Sequence, residues 1–297
     1  MADIYKSPAG QEAIAALYRR VLARWPVPHE ELVVATRHGD TFVVASGDMH
    51  APPIVLFHGS GTNSGAWIRD VAEWSRSHRV YAVDLIGEPG FSATSRLPLA
   101  SDLHAAWLDD VWDRLGLETA SIVGVSLGGW LGLDYAVRRP RRVASLSLLS
   151  PSGIGRQHQL ALLKVSLWRL CGGWGLRKSM QLVAGRTAPL PPQLQDALLT
   201  VFRNFKPRME RIPMRSDAEL AALPMPVQVV LGADDALIDA ADTRARLQRC
   251  VPQLQLTYLD HAGHILPSQA RNVADFLAGV GTSERPVSGI ARALSEV

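Results

Sequence analysis

Short runs of apolar residues recur along the chain, at Ile54–Phe57, Val80–Val83, Ser121–Val125, Val143–Leu149, Val227–Leu231 and Leu254–Leu259. Runs this short and this uniformly apolar read as strands covered on both faces. Between them, apolar residues fall at helical spacing, predicting helices over Ser64–Ser77, Leu99–Leu115, Leu127–Arg139, Ala240–Arg249 and Asn272–Ala278. Strand and helix therefore alternate, and alternation of this kind demands a mostly parallel, doubly wound α/β sheet with helices on both faces.

Ahead of this pattern, Ser7 and Pro8 suit the cap and first turn of an amphipathic helix running to Trp25. Two β-rich runs follow, Glu31–Thr36 and Thr41–Ser46, joined by Arg37, His38, Gly39 and Asp40, as in an antiparallel edge hairpin. The sheet is thus expected to have about eight strands. The alternation lapses between Pro151 and Leu223, where Leu160–Leu170 and Leu194–Phe205 look helical with no strand between them. This predicts a helical cap inserted after strand 6. The expected division is an N-terminal helical extension at 1–30, a core at 31–150 and 224–280, a cap or lid at 151–223, and an unassigned tail at 281–297. The apolar stretch of Leu162, Leu163, Val165, Leu167, Trp168 and Leu170 could touch lipid, but a lid helix packed over its own domain is the commoner arrangement and is the expectation.

With 297 residues, 47% of them apolar, the chain can bury a large core. Its net charge of +3 comes from Lys and Arg dispersed along the sequence, so no stripe exists to track phosphates and nucleic acid is not expected as a partner. The dense cluster Arg138, Arg139, Arg141 and Arg142 stands where a helix should end, a place the helix dipole favours for cations. Cys171 and Cys250 lie far apart without metal-ligand spacing and read as plain thiols. The first thirty residues lack a signal-like apolar core, and no run is long enough to span a bilayer. The expectation is a soluble cytoplasmic protein without integral membrane association; its oligomeric state is left open.

Gly124, Val125, Ser126, Leu127 and Gly128 spell G-x-S-x-G directly after an expected strand and directly before an expected helix. A sharp strand-to-helix turn there would hold the serine on strained backbone with its hydroxyl in a cleft, the flanking glycines relieving crowding. The plain alternative is a glycine-rich turn with an idle serine. A serine hydroxyl needs a base to take its proton as a new bond forms. Of nine histidines, His264 is best placed, on a loop after the last strand, with His261 its near competitor. Gly263 would permit the tight turn that brings the imidazole to a neighbouring loop. The imidazolium in turn needs an anion. Asp234 and Asp235 both follow Gly232 at the carboxyl end of a strand, and position alone leaves the two open. For the developing oxyanion, the loop His58, Gly59, Ser60, Gly61 can present the backbone N–H of Ser60, with the N–H of Leu127 as second donor. His58, Gly59, Gly61, Gly124 and Gly128 are read as supporting these loops and not as catalytic. Neither a Rossmann nor a Walker A pattern is present, and no metal or organic cofactor is expected.

On these residues the chain resembles the α/β-hydrolase superfamily, at His58–Gly61, Gly124–Gly128, Gly232–Asp235 and Gly263 with His264, over about Val33 to Leu277. The resemblance implies the α/β-hydrolase fold, and the order Ser126, Asp235, His264 is the family's order. In that family the acid stands three residues after the glycine ending its strand, which selects Asp235. The segment Asp84 to Ser92 is similar to the family's DxxGxGxS loop but has one extra residue, with Glu88 and Pro89 where a compact aromatic and a glycine are usual. Gln269 stands where many relatives have glutamate. Serine at 126 is unlike the dehalogenase and epoxide hydrolase members, which use a carboxylate there. The activity implied by the resemblance is that of a serine hydrolase acting on small ester-like molecules through an acyl-enzyme. Cleavage of a carbon–carbon bond or a thioester by the same triad is the alternative. A ligand-binding or receptor-like protein on this fold is the alternative from another class, and an intact triad argues against it. Lid residues would set specificity, with Trp67, Trp130, Trp168 and Trp174 as candidate apolar walls.

Overall fold

The computed structural model describes residues 4–168, 172–185 and 192–282. Among them, eight strands form one sheet: β1 (His29–Val34), β2 (Thr41–Ser46), β3 (Pro53–Phe57), β4 (Arg79–Val83), β5 (Ala120–Val125), β6 (Val143–Leu149), β7 (Val227–Gly232) and β8 (Leu254–Leu259). Their spatial order is β1-β2-β4-β3-β5-β6-β7-β8. The β1–β2 hairpin and the β2–β4 pair are antiparallel, and every later pairing is parallel. Side chains alternate between two cores, as the pleat requires: Ile54 and Leu56 of β3 join one apolar cluster, Val55 and Phe57 the other. Several large aromatics of these cores keep their polar ends satisfied. The indole of Trp107 donates to Thr41 Oγ1 at 2.8 Å and that of Trp25 to Ser46 Oγ at 2.9 Å, which explains two hydroxyls on a strand buried from end to end.

Helix α1 (Pro8–Leu22) begins where Ser7 Oγ accepts from Gly10 N–H, and buries Ile14, Tyr18 and Leu22. The helix expected over Ser64–Ser77 is instead a 3₁₀ turn, Ser64–Trp67, followed by the short α2 (Val71–Trp74). Gly65 is a poor helix former, and Asp84 takes the N–H of Ser64 at 2.8 Å, fixing the turn from outside. Helix α3 (Leu103–Arg114) starts later than its apolar spacing suggested, because the chain first makes a turn in which the N–H and hydroxyl of Ser101 donate to Pro98 O at 3.2 and 2.7 Å. Helix α4 (Leu127–Arg138) follows β5 directly and is buried along most of its length.

Between β6 and β7 the chain passes through the helical cap: α5 (Gln159–Trp168), α6 (Gly172–Ala184), α7 (Pro192–Asn204) and the short α8 (Asp217–Ala221). Helix α6 was not expected, since Gly172, Gly173 and Gly175 weaken the helical reading at its start. Helix α5 leans on α6 and leaves Leu160, Leu163 and Leu167 exposed, so it is only partly packed. Returning to the sheet, α9 (Ala240–Cys250) and α10 (Ala270–Thr282) flank β8. Residues 281 and 282 close α10, while the rest of the expected tail lies outside the described residues, as do Leu170 and Cys171; Cys250 is a buried free thiol.

The arginine cluster answers to carboxylates rather than to the helix dipole alone. Arg138 pairs with Asp134 at 3.0 Å within α4, while Arg139 with Asp109 at 2.8 Å and Arg142 with Asp113 at 2.7 Å tie the chain after α4 to α3. Among the described residues no helix is long and apolar enough to cross a membrane, and no cluster of His, Cys, Asp and Glu could hold a metal ion.

Candidate active site

β3 lies between β4 and β5, so the chain leaves β3 in one direction across the sheet and β5 in the other. The loops after these two strands diverge, opening a crevice at the carboxyl edge where ligands of open α/β sheets bind. Ser126 stands there, between β5 and α4, with φ 54° and ψ −112°, a conformation rare for a residue with a Cβ. The strain is held by the surroundings: Ser126 N–H donates to Leu149 O at 3.0 Å, and Ser126 O accepts from Trp130 N–H at 3.0 Å. The flanking glycines are sterically required. A Cβ on Gly124 would sit 2.5 Å from Gly128 O, and one on Gly128 would sit 2.1 Å from Phe57 O.

The loops after β7 and β8 complete the group. His264 Nε2 lies 2.9 Å from Ser126 Oγ, and His264 Nδ1 lies 2.7 Å from Asp235 Oδ2. A carboxylate only accepts, so Nδ1 carries the ring proton and Nε2 is left to accept from the serine hydroxyl. The other oxygen of Asp235 accepts from the N–H groups of Leu237 at 2.8 Å and Ile238 at 3.1 Å, which fixes the plane of the carboxylate. Asp235 and His264 are buried and Ser126 is half-buried, whereas Asp234 and His261 are exposed and stand outside the hydrogen-bonded chain.

The loop after β3 is locked from its carbonyl side. His58 is fully buried; its Nε2 accepts from Leu85 N–H at 2.9 Å, so its proton sits on Nδ1, which donates to Gly59 O at 2.9 Å. Thr62 Oγ1 donates to the same carbonyl at 2.7 Å. In a planar trans peptide the N–H points opposite to the C=O, so anchoring Gly59 O turns the N–H of Ser60 away from these partners. Among the described residues neither Ser60 N–H nor Leu127 N–H donates to a protein acceptor. Burial lowers the pKa of His58, in keeping with a neutral brace.

The model of the alpha/beta hydrolase family matches residues 54–276, which spans all four of these loops. The chain belongs to that family. This α/β-fold hydrolase is 31% identical to the carboxylesterase YbfK of Bacillus subtilis over 88% of its own length and 92% of the relative's. The crystal structure of that esterase superposes with a TM-score of 0.82, covering 91% of this chain and 99% of the other. The naproxen esterase of Bacillus subtilis gives a TM-score of 0.82 at 28% identity, covering 93% and 99%. A 2-hydroxy-6-oxo-2,4-heptadienoate hydrolase of Pseudomonas putida is 29% identical over 76% of this chain and 89% of its own.

Three features of this hydrolase were beyond sequence reasoning. First, the N–H of His264 donates to Val183 O at the end of α6, at 3.0 Å, so the cap holds the backbone of the histidine loop. Gly263 is needed for this approach rather than for a tight turn: a Cβ there would meet Ala184 O at 2.6 Å. Second, the loop after β4 is built around buried Asp84, which accepts from Tyr18 Oη, Ser64 N–H and Phe91 N–H at 2.8–2.9 Å. Third, Trp67 and Trp130 are core residues, while Trp174 is exposed, so the candidate walls are not one pocket. The side chain of Gln269 bonds locally, to Pro267 O, Ser268 O and Asn272 Nδ2.

Proposed function

We propose that this hydrolase cleaves carboxylic esters of small molecules by nucleophilic catalysis at Ser126. The reading is carried by one observation, the continuous hydrogen-bonded chain from Ser126 Oγ through His264 to Asp235 at the mouth of the crevice. Ser126 attacks the acyl carbonyl while His264 Nε2 takes the hydroxyl proton, and Asp235 holds the Nδ1–H tautomer and offsets the imidazolium charge. The backbone N–H groups of Ser60 and Leu127 receive the developing oxyanion. His264 then returns its proton to the departing alkoxide, leaving an acyl-enzyme. In the second half-reaction it deprotonates a water that attacks the acyl carbon, and Ser126 leaves with the proton. The cap between β6 and β7 is proposed as a separate lid unit over 151–223 that shapes access to the crevice.

Ester hydrolysis is favoured over carbon–carbon cleavage because the named carboxylesterases match more of the chain at higher identity than the heptadienoate hydrolase does. The test is labelling by a fluorophosphonate probe, followed by turnover of p-nitrophenyl esters of increasing acyl length. Wild type should label and turn over esters, and Ser126→Ala should do neither, with turnover reduced by up to about a millionfold. Labelling without ester turnover would leave the activated serine in place and move the substrate to a carbon–carbon or thioester bond.

A further inference from the structure

The extra residue in the loop after β4 brings with it an acidic side chain that the proposed mechanism does not use. Glu88 is 1% exposed, yet it lies beneath the loop after β3 and not on a surface. Its Oε2 accepts from the backbone N–H of Gly61 at 2.7 Å and from Ser60 Oγ at 3.3 Å. Gly61 has φ +71°, and this left-handed conformation turns its N–H inward to the carboxylate. The other oxygen, Oε1, has no partner among the described residues, and the same is true of His104 Nδ1 and Arg208 Nε. Glu88, His104 and Arg208 line one cavity of about 10 Å³ with Leu127, the residue beside the nucleophile.

The position of the carboxylate matters because two consecutive peptide planes flank Ser60: the first contains its N–H, and the second limits how far the loop can swing and carry the first with it. The plane between Gly59 and Ser60 is held at its carbonyl by His58 and Thr62. The plane between Ser60 and Gly61 is held at its N–H by Glu88 alone among the described side chains. With both planes fixed, the φ and ψ of Ser60 are fixed as well.

We propose that Glu88 is a positioning residue for ester hydrolysis, clamping the Gly61 amide so that the Ser60 N–H stays aimed at the oxyanion; this rests on the serine hydrolase reading. The function lies in the reach of an acceptor oxygen, not in its charge. Arg208 and Arg96 attract the carboxylate while burial raises its pKa. The stem returning from the cap also holds the segment that carries Glu88. Arg208 donates to Leu97 O at 2.8 Å, and Glu210 accepts from Leu99 N–H at 2.8 Å. Glu88 thus lies between the stem of the cap and the loop after β3, hydrogen-bonded to the loop and facing Arg208 across the cavity.

Reach and charge are separated by substitution. Glu88→Gln keeps an acceptor at the same distance without the charge, Glu88→Asp keeps the charge but draws it back by one methylene, and Glu88→Met keeps the shape with no acceptor oxygen. Steady-state kinetics on a soluble p-nitrophenyl ester should place Gln within about threefold of wild type. Asp and Met should lose about tenfold or more in kcat with little change in KM, a fraction of the hundred- to thousandfold effect of losing a donor outright. Affinity for a trifluoromethyl ketone should fall in parallel with kcat/KM. Asp and Gln probe the same point if Met does not fold. Retention of kcat within threefold by a folded Asp or Met variant would overturn the proposal, as would loss in Gln with retention in Asp. Phosphonate labelling of Ser126 tests the underlying serine reading separately, because the clamp can fail while labelling persists.

Discussion

Asp235→Asn replaces one oxygen by a nitrogen at the far end of the hydrogen-bonded chain, and the structure says which one. Asp235 Oδ1 is held by two backbone amides, from Leu237 and Ile238, and only an acceptor satisfies them. The asparagine oxygen must therefore take that place, leaving its NH₂ facing His264 Nδ1 at the 2.7 Å separation now occupied by Oδ2. Two donors cannot share that contact, so the imidazole changes to the tautomer that accepts at Nδ1 and carries its proton on Nε2. Nε2 then faces Ser126 as a donor and no longer takes its proton. The same swap in a serine protease triad lowers kcat about ten-thousandfold, which is about 5.4 kcal/mol of transition-state stabilisation. The fold should survive, since the amide contacts persist. Turnover of a p-nitrophenyl ester by Asp235→Asn, alongside the exposed Asp234→Asn as control, reads the effect directly. A folded Asp235→Asn retaining about a tenth of wild-type kcat or more would refute the tautomer reasoning, and a larger loss in Asp234→Asn would transfer the acid role.

Gly128→Ala places a Cβ 2.1 Å from Phe57 O and 2.5 Å from His58 O, so the loop after β3 has to move. Urea unfolding should show a loss of about 1–3 kcal/mol, with a fall in turnover because Ser60 rides on the same loop. Asp134 is wholly buried between Arg138 and Arg215, the latter also buried. Asp134→Ala should cost about 1–3 kcal/mol by leaving buried donors of Arg215 unmatched, less than full loss of a partner would, because Arg215 keeps its pair with Glu219 at 3.1 Å; Arg215→Met in the same chain should recover part of it. Burial lowers the pKa of His104 from the ordinary 6.5 to about 3. The unfolded chain therefore takes up this proton first, and stability present above about pH 6.5 is lost as pH falls toward 3, at up to about 1.4 kcal/mol per unit. The buried carboxyls of Glu88 and Asp134 shift upward and oppose this loss, so the measurement is the difference between wild type and His104→Gln in melting temperature from pH 7.5 to 4. Equal acid limbs in the two proteins would exclude His104 as a source.

The inner strands were legible because a strand covered on both faces has little polar side to show, and Val143–Leu149 coincides with β6 to the residue; Leu254–Leu259 coincides with β8 as well, although that edge strand is only half-buried. The helix starts were less legible where a short turn precedes the helix. A 3₁₀ turn replaces the start of the helix expected from Ser64, and Ser101 turns the chain on Pro98 O ahead of α3. Helix α6 was hidden by its own glycines, although its C-terminal end touches the candidate site. Ser126 and His264 could be nominated from glycine-flanked positions after strands, whereas position left Asp234 and Asp235 open and only the family resemblance selected Asp235. The sequence could not reveal why the glycines are there. Gly128 makes room for Phe57 and His58, Gly232 for Ala262 and Gly263, and Gly263 for Ala184 and Gly185.

Through those last contacts the loops of the candidate site lean on the main chain of their neighbours. The elbow after β5 rests on the loop after β3, the acid loop after β7 on the histidine loop after β8, and the histidine loop on the end of cap helix α6. All four core loops leave the carboxyl ends of parallel strands, where a slip of one residue would turn every side chain to the opposite face. Backbone against backbone at 2.1–2.6 Å from a notional Cβ leaves no room for such a slip. Geometry that loops alone would leave loose is therefore set by packing between main chains, as preorganised catalysis requires. The cap takes part in this at both of its connections to the core. At one, Val183 O holds the N–H of His264; at the other, Arg208 faces Glu88 beneath the oxyanion loop. A cover that only excluded water would not need the first contact, so on the proposed reading the helices between β6 and β7 help hold the loop of the candidate base as well as shape access to the crevice.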